Sequence, residues 1–245
     1  MSARRLVLLL LSAALLAPAA RAQLAPPAPA VSAVPAGSAG SALPGVALRE
    51  QEIAECRPGE LQTWADGRDR AAIDRPLRFV YRHEGAPLWF TPEQVISLVQ
   101  RSAQAWSACG IASQVRLLPR GETPPEGVVQ ILWSEVGSRG QFGLANVAAR
   151  SLSLGPGVFG LLRQRNPRHP AEQTLQMVLS HEMGHFYGLM AHSRRCVDVM
   201  SYYDDGRGQR CSLRDPRAWG SVPEYRATLP TACDLQRCRA LNPQP

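Results

Sequence analysis

The sequence predicts an α+β domain: a twisted mixed sheet with two long helices packed on it and a short helix closing the C-terminal end. Three observations predict it. Strand-like runs and amphipathic helical stretches alternate in the order strand, helix, several strands, helix. Turn residues punctuate the short runs. The stretch from residue 50 to 242, roughly 190 residues, is long enough for one hydrophobic core.

The 245 residues are 45% hydrophobic, with 27 basic and 20 acidic side chains and six cysteines. That balance excludes both a low-hydrophobicity disordered chain and a small disulfide-stapled scaffold. Residues 1–22 read as a secretory signal, with Arg4 and Arg5 ahead of an apolar run from Leu6 to Leu16 and Ala20-Arg21-Ala22 as a small-residue cleavage pattern. Its removal leaves 223 residues and 24 arginines against 20 acids, a net charge of +4. Those arginines are scattered among acids rather than gathered into a patch, which argues against a nucleic-acid partner. No second long apolar run exists and no cysteine follows the cleavage site closely, so no membrane anchor is expected. The product is read as a soluble monomer, secreted or periplasmic. Residues 23–49 are rich in Ala, Pro, Ser and Gly and read as a linker or flexible N-terminus, leaving 50–245 as the folded domain.

Within that domain Leu77–Arg82 has strand composition. Thr91-Pro92-Glu93-Gln94 marks a helix start, with Thr91 as the cap, Pro92 at the first helical position and Gln94 closing a capping box. Val95, Leu98, Val99, Ser102, Trp106 and Cys109 follow at spacings of three and four, which gives the helix one apolar face before Gly110 stops it. Strands are expected at Val115–Leu118, Val128–Trp133, Leu144–Ala149 and Ser151–Leu154. Pro170 opens a second helix with Leu175, Val178 and Leu179 on its buried side and Gly188 at its end, and Thr231–Leu241 reads as the closing helix.

An exported chain with an even number of dispersed cysteines is expected to hold disulfides rather than a thiolate metal site. Cys196 with Cys211 is the preferred local bridge. Cys233 and Cys238 fall on different faces of one helix, so at least one of them should pair elsewhere. Cys56 is read as a disulfide partner too, since any other use leaves an odd number of thiols.

The chemistry is concentrated in His181-Glu182-Met183-Gly184-His185, inside the second predicted helix. Histidines four apart share one helical face about 6 Å from each other, so both imidazoles can reach one tetrahedral zinc. Glu182, beside the first of them, is placed to act as general base on a metal-activated water. The chain has five histidines, and a third, His192, lies within twelve residues of His181. Of the others, His169 beside Pro170 is expected to cap or be exposed, and His83 beside Glu84 to lie on the surface.

The stretch from His181 to His192, followed by Val199-Met200-Ser201-Tyr202, resembles the metzincin zinc peptidases, in which the zinc-binding helix is followed by a methionine turn beneath the metal. The likeness is specific over residues 171–203, and the element order from Leu77 onward is similar to the matrixins. It implies a zincin-type fold and a Zn2+-dependent endopeptidase, with His181, His185 and His192 as metal ligands, Glu182 as general base and Met200 in the turn. Tyr202 takes the position of a transition-state donor in related families, and a peptide substrate would lie along the edge strand at Leu144–Ala149. One departure stands out: the family's third ligand falls six residues after the second, where this chain has Ala191, with His192 one further on. Snapalysin-type members are similar in carrying a histidine at that later position. Two other readings remain at this point. Asp198 or a tyrosine could complete a two-histidine site, or Glu224 could serve as a late third ligand. A catalytically degenerate binding protein on the same fold is the alternative function.

Overall fold

The computed structural model describes residues 44–244; the signal expected at 1–22, and the expected linker as far as residue 43, lie outside them. A helix comes first, α1 (Pro44–Ala54), followed after a long strap by β1 (Leu77–Tyr81). Then come α2 (Pro92–Ser107), β2 (Ser113–Leu117), β3 (Val129–Trp133), a short α3 (Glu135–Ser138), β4 (Gly143–Asn146) and β5 (Ser151–Leu154). Two more helices, α4 (Pro156–Arg165) and α5 (Ala171–Phe186), precede a largely irregular stretch with one 3-10 turn at Pro216–Ala218, and α6 (Ala232–Leu241) is the last element. The domain boundary expected at residue 50 falls inside α1. Arg49 in that helix donates to the carbonyls of Tyr225 and Arg226 at 2.9 and 2.8 Å, so residues before 50 belong to the fold.

The five strands form one mixed sheet in the order β2-β1-β3-β5-β4. The first four run parallel, and β4 closes one edge antiparallel to β5, with Gly143 opposite Leu154 and Asn146 opposite Ser151. The edge strand is shorter than the expected 144–149, because Asn146 Oδ1 accepts from Ala149 N at 3.0 Å and turns the chain. Alternation on β3 buries Val129, Ile131 and Trp133 together with Phe79 and Tyr81 of β1.

Both long helices lie over that face. The Thr91 capping box is present, and the α2 face predicted from spacing, Val95 to Trp106, is buried. α5 buries Leu175, Val178 and Leu179 as expected, and a buried polar seam joins it to α2: Gln176 Nε2 donates to Ser102 Oγ at 2.6 Å, and Ser102 and Ser180 hydroxyls meet at 2.9 Å. All six cysteines pair, Cys56–Cys233, Cys109–Cys238 and Cys196–Cys211. The local bridge is the expected one, and both α6 cysteines reach distant partners because they leave the helix in different directions. No helix among the described residues is long and apolar enough to cross a membrane.

Candidate metal centre

The end of α5 organises the site. Gly188 has φ of +102°, a conformation that favours glycine, and both bonds of a Schellman cap are made: Leu189 N donates to Gly184 O at 3.2 Å and Gly188 N to His185 O at 3.1 Å. That cap turns the chain back so that the Leu189 carbonyl lies 2.8 Å from His185 Nδ1. His181, one turn earlier, meets the Val199 carbonyl through its own Nδ1 at 2.7 Å. His192 arrives from the loop beyond, and its Nδ1 lies 2.6 Å from Asp66 Oδ2.

Three imidazoles therefore face one another. Their ring centres are 5.3, 5.1 and 5.2 Å apart, and one ligand atom from each lies within 4.8 Å of the other two. Two Nδ1 atoms contact carbonyls and the third a carboxylate, groups that only accept, so each Nδ1 carries the hydrogen and each Nε2 keeps its lone pair. That is the protonation pattern a zinc site needs, with every ligand oriented by an outer acceptor. Burial, together with the neighbouring histidines, pushes His181 well below the ordinary imidazole value and His185 down to about 4, so these two rings stay neutral at neutral pH. The donor set fits Zn2+.

Glu182 lies beside this cluster, nearly buried. Its Oε2 accepts from Ala145 N of the edge strand at 2.7 Å, and Oε1 has no hydrogen-bond partner among the described residues. Burial raises the carboxyl to about 7, and the Ala145 N–H only partly offsets that rise. A base of that strength is matched to proton transfer at neutral pH. A cavity of about 180 Å³ opens beside it, lined by Phe142, Met177, Val178 and Arg226 among others.

Met200 sits beneath the helix, fully buried, and packs on Gly184 and Trp106. A turn holds it there: Ser201 N donates to Asp198 O at 3.1 Å, and Ser193 N to Met200 O at 2.8 Å. Asp198 is no ligand. Its carboxylate is buried and takes Ser193 Oγ at 2.6 Å, Arg195 Nη1 at 2.8 Å and Thr231 Oγ1 at 2.6 Å, so its work is to lock the turn. Glu224 is likewise engaged elsewhere, paired with Arg226 and accepting from the Tyr203 hydroxyl. Tyr202 borders the cavity, its ring centre 4.7 Å from that of His192, but its hydroxyl donates to Asp66 Oδ2 at 2.7 Å. His169 bonds Thr174 Oγ1 at 2.6 Å near the start of α5, and His83 bonds the Tyr81 hydroxyl at 2.7 Å; neither joins the cluster.

The strap before β1 supplies what sequence reasoning missed. Asp66 and Asp69 both bind the loop that carries His192, and their partners lie more than a hundred residues away along the chain. No local pattern in Asp66-Gly67-Arg68-Asp69 announces such a role.

No family model matches this chain, and no curated protein does. Among solved structures, a chain described as "GM1 bound form of the ECX AB5 holotoxin" is similar over 77% of this chain and 91% of that one, at 15% identity and a TM-score of 0.45. At that score nothing about this chain follows from the likeness.

Proposed function

We propose that this chain is a zinc-dependent endopeptidase of the metzincin kind, working outside the cytoplasm. The observation that carries the reading is the convergence of three oriented imidazole Nε2 atoms beside a buried glutamate. Zinc bound there would lower the pKa of a coordinated water from about 15.7 toward about 7 and polarise a scissile carbonyl. Glu182, held at Oε2 by the edge strand, offers Oε1 to take that proton and return it to the leaving amine. An extended peptide laid along β4 would add a strand to the sheet, gaining backbone hydrogen bonds with little sequence preference. One of its side chains would enter the cavity between Phe142 and Met177. Tyr202 would have to release Asp66 before its hydroxyl could reach a substrate oxyanion.

The one-residue displacement of the third histidine suggested a degenerate site. His192 nevertheless stands with the other two, which supports the enzyme reading. The test is metal analysis of the oxidised protein together with cleavage of casein, abolished by a chelator and restored by zinc. Glu182→Gln should bind zinc with the same stoichiometry and lose about 10²–10⁴-fold in turnover. A protein that takes up no zinc, or one that cleaves equally well with chelator present, refutes the proposal. Zinc uptake without cleavage points to the binding-protein alternative.

A further inference from the structure

We infer that Asp66 is a positioning residue for the metal centre, one that fixes the orientation of His192 and the basicity of its Nε2; this rests on the zinc site proposed above. The loop between α5 and His192 has no secondary structure of its own to hold it. Two aspartates, three residues apart on the strap, do so instead. Asp69 Oδ1 accepts from Met190 N at 2.8 Å and from Ala191 N at 2.9 Å, and Asp66 Oδ1 accepts from His192 N at 2.9 Å. Three consecutive backbone N–H groups are thus gathered onto carboxylates, an arrangement that defines the path of the loop. Asp69 is itself fastened by Arg237, through Nε at 2.6 Å and Nη2 at 2.8 Å.

Asp66 then adds a second contact. Its Oδ2 meets His192 Nδ1 at 2.6 Å, so one carboxylate grips both the backbone and the ring of the same residue. A carboxylate on Nδ1 fixes the tautomer, leaves the lone pair on Nε2 and makes that nitrogen a stronger donor to a cation. The other two histidines have neutral carbonyls in the equivalent place. The strap is held by pairing that needs neither aspartate: Trp64 N donates to His192 O and Arg194 N to Gln62 O, both at 2.9 Å, and Trp64 stacks on Tyr202. Removing the Asp66 carboxylate should therefore loosen the ligand without detaching the strap.

The experiment measures zinc affinity by competition with a chromophoric chelator, and the visible spectrum of the cobalt-substituted protein. The variants are Asp66→Ala and Asp66→Asn, with Glu126→Gln as a control on an exposed loop acid. Zinc affinity should fall about 10–100-fold in Asp66→Ala. Asp66→Asn should lie between parent and Ala, because its amide oxygen still accepts but carries no charge. The cobalt spectrum should change in both and stay unaltered in Glu126→Gln. Should Asp66→Ala fail to fold, Asp66→Asn carries the same two readouts. The inference is overturned if folded, fully oxidised Asp66 variants bind zinc within about twofold of the parent with the same cobalt spectrum. A parent that binds no zinc fails the underlying metal-site reading instead, and the two failures are thereby distinguishable.

Discussion

Gly184 decides how closely the ligand helix approaches the methionine beneath it. A Cβ there would strike Met200 Sδ and the Trp106 ring, so the absence of a side chain lets the turn carrying Val199 come close enough for its carbonyl to hold His181. Gly184→Ala should cost about 1–3 kcal/mol of stability through overpacking. It should also weaken zinc binding, since Val199 must move with Met200. Urea unfolding and chelator competition measure the two effects, and an unchanged zinc affinity would show that the helix and turn adjust independently. At this scale the sequence was legible wherever partners are close along the chain. His181, Glu182 and His185 share a helical face, so their spacing alone places them side by side. Asp66 meets His192 from 126 residues away, and nothing near either residue records it.

The helices whose start or buried face is written locally, α2, α5 and α6, lie where the sequence places them, and α1 and α4 carry no such signal. α2 and α6 each open on a threonine capping box. α1 lacks an apolar period because it is fastened by Arg49 and by Glu52, whose buried carboxylate accepts from Arg214 N at 2.9 Å. α4 buries only Phe159 and so leaves no repeating pattern in its ten residues. The two capping threonines allow a comparison. Thr91 only caps, and Thr91→Ala should cost about 1 kcal/mol. Thr231 also donates its hydroxyl to buried Asp198 at 2.6 Å, so its removal leaves a carboxylate short of a partner beneath the methionine turn. Thr231→Ala should therefore cost roughly 1–3 kcal/mol more than Thr91→Ala in urea unfolding. Equal losses would mean that Asp198 does not depend on that hydroxyl.

Across the whole molecule, the strap, the methionine turn and the C-terminal region meet at Glu60. Its carboxylate accepts from Arg214 Nε at 2.6 Å and Nη2 at 2.9 Å and from Arg57 N at 2.8 Å. It also faces Arg195, which holds Asp198 in the turn. The Cys56–Cys233 bridge fastens the strap to α6 nearby. Hydrogen bonding from Arg214, helped by Arg57 and Arg195 against the effect of burial, pulls the Glu60 carboxyl from its ordinary 4.5 down to about 2. A group whose folded value is depressed stabilises the fold above its unfolded value and loses that contribution as pH falls. The contribution is present above about pH 4.5 and disappears as the medium is acidified toward pH 2. Glu60→Gln should be less stable than the parent near neutrality, and the gap should narrow by on the order of 2 kcal/mol between about pH 6 and pH 3. Urea unfolding of the metal-free proteins at those two values measures it, with zinc removed so that ligand protonation does not contribute. A gap that stays constant on acidification would mean that the strap is held to the domain by its disulfide and backbone bonds, with no net electrostatic help from Glu60.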